Sequence, residues 1–219
     1  MTSPPSNYEW PTLSEWDTMM AKRYGPANQA LIQAARVAVA GLGGLGSHVA
    51  AALARAGVGF LRLIDFDRVE VSNLGRQYYS INHLGQLKTD ALAAIIAEIN
   101  PYVGVNPVNA HLTRANIPRF LTGWPIIVEA LDRPEAKAEL VTTALAAFPE
   151  AKVVCASGLA GFESANTIVT RQRSPRLYLC GDETSEAGPG QSLTAARVMV
   201  CAGHQANMVL RLILNNQEP

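Results

Sequence analysis

Asn73, Arg76 and Gln77 crowd into one short run, Ser72-Asn73-Leu74-Gly75-Arg76-Gln77. An arginine offers a planar fork of donors that suits a phosphate. Read alone, the run has a lesser alternative as a surface loop whose polar residues cap helices. Lys88 follows at the start of a helical pattern. Beside a polyphosphate it would neutralise developing charge; elsewhere it is a solvated lysine. Asp132 comes after the apolar run Ile126-Ile127-Val128-Glu129-Ala130-Leu131. An acid at a strand's carboxyl end beside phosphates is a magnesium candidate, whereas one before Pro134 is also an N-cap. Glu129, inside that run, either faces the cleft or pairs with Arg133 or Lys137.

Residues 37–77 hold the elements that would position this chemistry. A β-rich run, residues 37–40, opens into Gly41-Leu42-Gly43-Gly44-Leu45-Gly46, which has the G-x-G-x-x-G spacing with an extra glycine at 44. A helical pattern follows, and a second strand ends in Asp65-Phe66-Asp67. Glycines admit positive φ and close approach of backbone to phosphate oxygens. Free amides at the helix start then face an anion. Asp65 stands where an acid can take a ribose hydroxyl. The strand–turn–helix context makes this a nucleotide site. The glycines alone lean toward NAD or FAD and leave ATP open.

The chain has 219 residues, zero formal net charge and 16% charged residues, enough for one domain or one domain with an appendage. That balance offers nothing to nucleic acid or to a charged membrane surface. Cys155, Cys180 and Cys201 form no C-x-x-C pair, so neither structural zinc nor a disulfide framework is expected. Free thiols fit a reducing cytoplasm. The first residues lack the basic start and apolar core of a signal peptide, and no apolar run is long enough to cross a membrane.

Residues 1–12 read as loose and residues 13–35 as helical, broken near Gly25-Pro26. A helix over 88–100 places Leu92, Ile95, Ile96 and Ile99 on one face. Strands are expected near 103–108, over 126–130, over 152–156 and over 167–171. Helices are expected over 114–121 and 134–148, with a last one over 193–215. Residues 174–192, rich in glycine, proline and acids, read as a mobile connection. Alternating strands and helices imply α/β architecture with a mainly parallel sheet and helices on both faces.

Together GLGGLGS, LIDFDRVEVSNLGRQ, GQLKTDA, INP and EALD, in this order, resemble the ThiF/MoeB/ubiquitin-activating-enzyme superfamily. The resemblance covers roughly residues 30–215, and the ending VMVCAGHQANMVLRLIL is similar to the short ThiF type. It implies a Rossmann-like doubly wound sheet with C-terminal mixed strands, a crossover loop over 174–192 and a final helix. It divides the chain into an N-terminal extension, 1–30, and an adenylation domain, 31–219. The implied activity is ATP-dependent adenylation of the C-terminal glycine of a ubiquitin-like sulfur carrier. In the thiamin branch, toward the thiazole, the carrier is ThiS-like and ends in Gly-Gly. Other readings are a molybdopterin-type or other carrier, a tRNA-modifying dehydratase relative, a NAD-dependent Rossmann oxidoreductase, or a nucleotide-binding partner without catalysis.

Residue by residue, the resemblance implies that Gly41, Gly43, Gly44 and Gly46 hold ATP. Asp65 binds the ribose. Asp67 and Gln77 join the nucleotide site. Asn73 and Arg76, with Ser72, Leu74 and Gly75, line the phosphate path. Lys88 contacts phosphates at the reacting centre, Asp132 is the Mg²⁺ ligand, and Arg133 lies beside the adenosine. A homodimer is implied. Three features depart from the superfamily pattern. Zinc cysteines are lacking. Arg23-Tyr24-Gly25-Pro26 puts a proline where relatives carry an arginine that crosses to the partner subunit. Thr184-Ser185-Glu186-Ala187-Gly188 lacks a loop cysteine, for which Cys180 is a weaker candidate beside the alternative of an ordinary loop thiol. Cys155 and Cys201 read as core residues, and His204 as a satisfied core or interface histidine.

Overall fold

The computed structural model describes residues 10–219. The loose-terminus reading of the first residues therefore lies largely outside the described residues. Helix α1 (Leu13–Tyr24) opens on a capping box: the Thr12 hydroxyl accepts from the Glu15 amide while Glu15 reaches back to the Thr12 amide. Gly25 ends it at φ +80°, and Pro26 begins α2 (Pro26–Ala34). The break expected at Gly25-Pro26 is thus a change of helix, and α2 runs unbroken across residue 30.

Strand β1 (Arg36–Ala40) is followed by α3 (Gly44–Ala56) and β2 (Phe60–Asp65). After two short 3-10 turns come α4 (Lys88–Ile99), β3 (Gly104–Asn109), α5 (Ile117–Leu121), β4 (Ile126–Glu129), α6 (Pro134–Ala147) and β5 (Lys152–Ala156). The chain closes with β6 (Val169–Ser174), β7 (Leu177–Gly181) and α7 (Ala195–Ile213). The sheet order is β3-β2-β1-β4-β5-β7-β6, parallel throughout except for β6 against β7. Successive side chains of β1 go to opposite faces, as a strand's period of two requires. Val37 and Val39 join Leu61, Leu63, Leu92, Ile96, Val198 and Val209 in one core. Ala38 and Ala40 join Ile64, Ile127, Leu140 and Val153 in the other. Helices α3, α4 and α7 cover the first face, and α5 and α6 cover the second.

One expectation needs correction. Residues 174–192 are not a continuous mobile connection, because β7 lies inside them. Pro175 and Arg176 make a tight turn, and Leu177 pairs back on Ser174. Tyr178 and Cys180 are buried while Leu177 and Leu179 are half-buried, so the strand alternates over five residues too short to stand out among glycines and acids. The connection proper is residues 182–194. Cys180 is accordingly no loop thiol. Burial pushes it up to about 11 despite the Thr170 hydroxyl, and Cys155 up to about 12. All three cysteines are buried and free. Thiol reagents at pH 8 are expected to label none of them in the native protein and all after guanidinium unfolding. Mass spectrometry counts the adducts, and a labelled native Cys180 would contradict the buried strand.

The root of the 182–194 connection is fastened by charge. Arg197, 3% exposed, donates to Asp182 Oδ2 at 2.6 Å and to the Glu163 and Ser164 carbonyls. Burial alone would raise the Asp182 carboxyl. Bonds from the Ser185 hydroxyl and amide and the Thr184 amide, with the Arg197 charge, instead hold it down to about 2. A lowered carboxyl stabilises the fold above its ordinary range near 3.8 and loses that stabilisation as pH falls toward 2. In urea unfolding, the stability gap between wild type and Asp182→Asn should therefore be flat above about pH 5 and shrink from about pH 4 to 2. A gap that widens on acidification would exclude the pairing.

Candidate functional site

Strand order reverses between β1 and β4, and open α/β sheets bind ligands outside the carboxyl ends at such a point. A cavity of about 830 Å³ lies there. Its floor is the glycine turn. Gly41 has φ +89°, and a Cβ on it would sit 2.5 Å from the Ala130 carbonyl oxygen. Gly46 is tighter still, with Gly41 O 1.8 Å from its would-be Cβ. Gly43 is the N-cap of α3 and has no side-chain cap, so the first amides of that helix are free for an anion. Gly41, Gly43 and Gly44 line the cavity; Gly46 does not and serves the turn's packing.

Asp65 lies at the end of β2. Its Oδ2 accepts from the Leu42 amide at 2.6 Å and its Oδ1 from the Asp67 amide at 2.8 Å. It braces the glycine turn and still faces the cavity. Tyr79 supports the turn from below, its hydroxyl donating to the Leu42 carbonyl at 2.9 Å. Burial, with Asp65 and Asp67 nearby, raises that hydroxyl far above its ordinary range, so it stays protonated. Ser47 joins two parts of the site: its Oγ donates to Gly43 O at 2.6 Å and accepts from the Tyr78 amide at 3.0 Å.

Asn73 is buried, and its Oδ1 accepts from the Glu70 amide at 3.0 Å. Arg76 is half-buried and donates to Ser72 O at 2.9 Å. Gln77 is buried; its Oε1 is unpartnered among the described residues, and its Nε2 lies 3.8 Å from a would-be Cβ on Gly43. Lys88, 5% exposed, donates to Asp67 Oδ2 at 2.8 Å. Asp132 and Arg133 are exposed at the opposite wall, Arg133 bonded to His111 at 3.1 Å. Asn73, Arg76, Gln77, Lys88, Asp65, Asp67, Asp132 and Arg133 all line the one cavity. Ser72, Leu74 and Gly75 do not. Ser72 is exposed and supplies the carbonyl that holds Arg76, Leu74 packs on the core, and Gly75 is exposed with nothing within 4 Å of its would-be Cβ.

The cavity also contains residues that spacing did not single out. Phe66 stands edge-on to His111 with centroids 4.8 Å apart, beside Arg133. Gly158, Leu159 and Ala160, with Ser185, Glu186 and Ala187, form a second wall. Phe66 was visible between the two acids of Asp65-Phe66-Asp67, but nothing in the sequence tied the 158–160 and 185–187 stretches to it. Glu129 pairs with Lys137, not Arg133. His204 is bonded to Thr170 Oγ1 at 3.0 Å, the satisfied state expected of it. Arg23 sits in the exposed last turn of α1. Among the described residues, no group of three or more His, Cys, Asp or Glu is placed to hold a metal, and no helix is long and apolar enough to cross a membrane.

A doubly wound sheet with capless helix amides and with cationic and acidic side chains around a switch-point cavity defines a nucleotide-binding α/β protein. The profile of the ThiF family matches residues 17–219, and the chain belongs to that family. It is 38% identical over 143 residues to the adenylyltransferase and sulfurtransferase uba4 of Aspergillus fumigatus, covering 63% of this chain and 29% of that protein. It is 37% identical over 154 residues to the molybdopterin-synthase adenylyltransferase of Salmonella typhimurium, covering 69% of this chain and 60% of that protein. The chain thus spans less than two thirds of the length of either relative, 29% of one and 60% of the other. Among solved structures, the fold is similar to that of E. coli tRNA N6-threonylcarbamoyladenosine dehydratase in complex with ATP, with a TM-score of 0.82 at 23% identity over 90% of this chain and 93% of that one.

Proposed function

We propose that this chain adenylates the C-terminal glycine of a ubiquitin-like sulfur carrier, using ATP and Mg²⁺, and that its carrier is of the thiamin-thiazole, ThiS-like type. The observation that carries the reading is the joint presence of Arg76, Lys88 and Asp132 around the free amides of α3 in one cavity. A site for a nicotinamide cofactor needs none of these three. The named adenylyltransferase relatives support adenylation, and the ending VMVCAGHQANMVLRLIL, similar to the short ThiF type, supports the thiamin branch.

The donor set suits a nucleoside triphosphate. The α3 amides meet the phosphates, and the Asp65 carboxylate meets the ribose. Phe66, His111 and Arg133 offer flat surfaces to the adenine. The unpartnered Gln77 Oε1 needs a donor that the protein does not supply. Mg²⁺ is commonly held by one or two carboxylates plus substrate phosphates, and Asp132 would supply such a carboxylate. When bound there, the ion neutralises phosphate charge.

In the reaction, a carboxylate oxygen of the carrier's last glycine bonds to the α-phosphorus. The bond to the bridging oxygen breaks, and pyrophosphate leaves with the electron pair. No side chain forms a covalent bond in this step. Arg76 and Lys88 stabilise the charge that develops on the phosphoryl oxygens, and the walls align the two reactants. The tail would lie extended between residues 158–160 and 185–187, with the 182–194 connection closing over it on binding. Unchanged protease sensitivity of that connection with carrier and ATP present would exclude the closure. A homodimer in the cytoplasm completes the reading; a monomeric mass in light scattering would exclude the dimer.

The test offers ThiS-like and molybdopterin-type carriers in competition and measures which gains an AMP adduct by intact mass. The reading predicts modification of the ThiS-like tail first. Preference for the molybdopterin-type carrier would overturn the thiamin assignment and leave adenylation standing.

A further inference from the structure

Glu129 is the last residue of β4 and is 0% exposed. Its Oε1 accepts from the Leu131 amide at 2.7 Å and from Lys137 Nζ at 2.9 Å. Lys137 Nζ also donates to the Leu131 carbonyl at 2.9 Å. The pair therefore grips one residue at both ends, and that residue immediately precedes Asp132. The grip is itself anchored. Gln205 on α7 donates to Glu129 O at 3.0 Å and to Val154 O at 3.3 Å, tying the end of β4 to β5. Glu129 Oε2 has no hydrogen-bond partner among the described residues.

Such an arrangement is poor economy if stability is all it supplies. Taking two charges out of water costs about what their attraction returns, so a buried pair is weak evidence for stability. Burial in fact drives the Glu129 carboxyl upward against the pull of Lys137. What the pair does supply is position. Lys137 lies one turn into α6 and lines the same cavity as Asp132, whose own side chain is exposed there with no bond to the protein to fix it. The fold acts on that carboxylate through the backbone that carries it, and the 131–132 peptide is held by Lys137.

We propose that Glu129 and Lys137 are positioning residues for Asp132: by gripping both ends of Leu131 they present the Asp132 carboxylate to the metal carried by the nucleotide phosphates. The inference rests on the Mg-ATP reading above. Partners that orient a metal-binding group are commonly worth 10–100-fold in metal affinity, which sets the size of the expected effect.

The experiment is calorimetric ATP binding with excess Mg²⁺ and with EDTA, on wild type, Asp132→Asn, Lys137→Met, Glu129→Gln and the double variant Lys137→Met/Asp132→Asn. In wild type, Mg²⁺ tightens ATP binding. Lys137→Met should lose about tenfold of that tightening while its affinity in EDTA stays within about twofold. Glu129→Gln keeps an acceptor for the Leu131 amide and should lose less. It also serves as the informative variant where Lys137→Met melts too low to study. The double variant should bind no worse than Asp132→Asn alone. Equal weakening in both buffers would make Lys137 a direct phosphate contact and overturn the proposal. An unaltered magnesium effect in both single variants would overturn it too. Wild type that binds no ATP in either buffer would overturn the ATP reading itself, a result distinct from either of these.

Discussion

Lys88→Ala is expected to lower carrier-dependent ATP–pyrophosphate exchange by about a hundred- to a thousandfold, with a much smaller change in ATP affinity. Lys88 is 5% exposed and its ammonium has one protein partner, Asp67 Oδ2 at 2.8 Å. A lysine ammonium carries three donors, so two are left for the triphosphate proposed to bind at the cavity. It is held by its place as the first residue of α4, with its amide bonded to the Asp67 carbonyl at 3.0 Å. A cation fixed in this way costs no reorganisation when charge develops on the phosphoryl oxygens. Most of its value therefore falls on the transition state, and kcat should drop more than KM rises. Arg76→Ala should fall in the same range, because Ser72 O holds its guanidinium against the same cavity. Initial-rate exchange with labelled pyrophosphate measures both. A loss below tenfold for both variants would remove these cations from the reaction.

The second large effect belongs to the glycine turn. Gly46→Ala is expected to abolish measurable ATP binding and to destabilise the fold by about 1–3 kcal/mol or more. The added methyl would meet a backbone carbonyl, Gly41 O, at 1.8 Å, and backbone cannot swing aside as a side chain would. The turn must shift, and with it the capless amides of α3 that are proposed to meet the phosphates. Gly203→Ala is the control. It lies in the exposed middle of α7 with nothing within 4 Å of its would-be Cβ, so alanine there should be neutral or stabilise by up to about 1 kcal/mol. ATP titration and urea unfolding read both variants. Wild-type ATP affinity in Gly46→Ala would show that the turn does not hold the phosphates.

These two predictions draw on the part of the molecule that the sequence states most openly. The glycine spacing, the strand before it and the acid after it constrain backbone, and backbone constraints are local. The same holds for α4, whose apolar face at Leu92, Ile95 and Ile96 is buried as the periodicity requires. Sequence spacing brought Asn73, Arg76, Gln77, Lys88, Asp132 and Arg133 together because each follows a strand end or opens a helix on the same edge of the sheet.

What it could not carry is what depends on distant pairing. Strand β7 is five residues long and finds its place only by lying between β5 and β6. The 158–160 and 185–187 walls meet because Arg197, from α7, fastens Asp182 to the 163–164 backbone. Glu129 had two candidate partners by spacing, and only the three-dimensional turn at Leu131 selects Lys137. Ser72, Leu74 and Gly75 belong to the run around Arg76, yet none of them lines the cavity, which a motif read as letters does not distinguish.

The central claim is adenylation by charge neutralisation around a bound triphosphate. It is tested most directly by ATP–pyrophosphate exchange with the purified protein and a panel of Gly-Gly-ending carriers, with Mg²⁺ and with EDTA. The account predicts exchange that requires both a carrier and Mg²⁺ and that is lost in Asp132→Asn. No exchange with any carrier, from a protein that binds ATP, would contradict it.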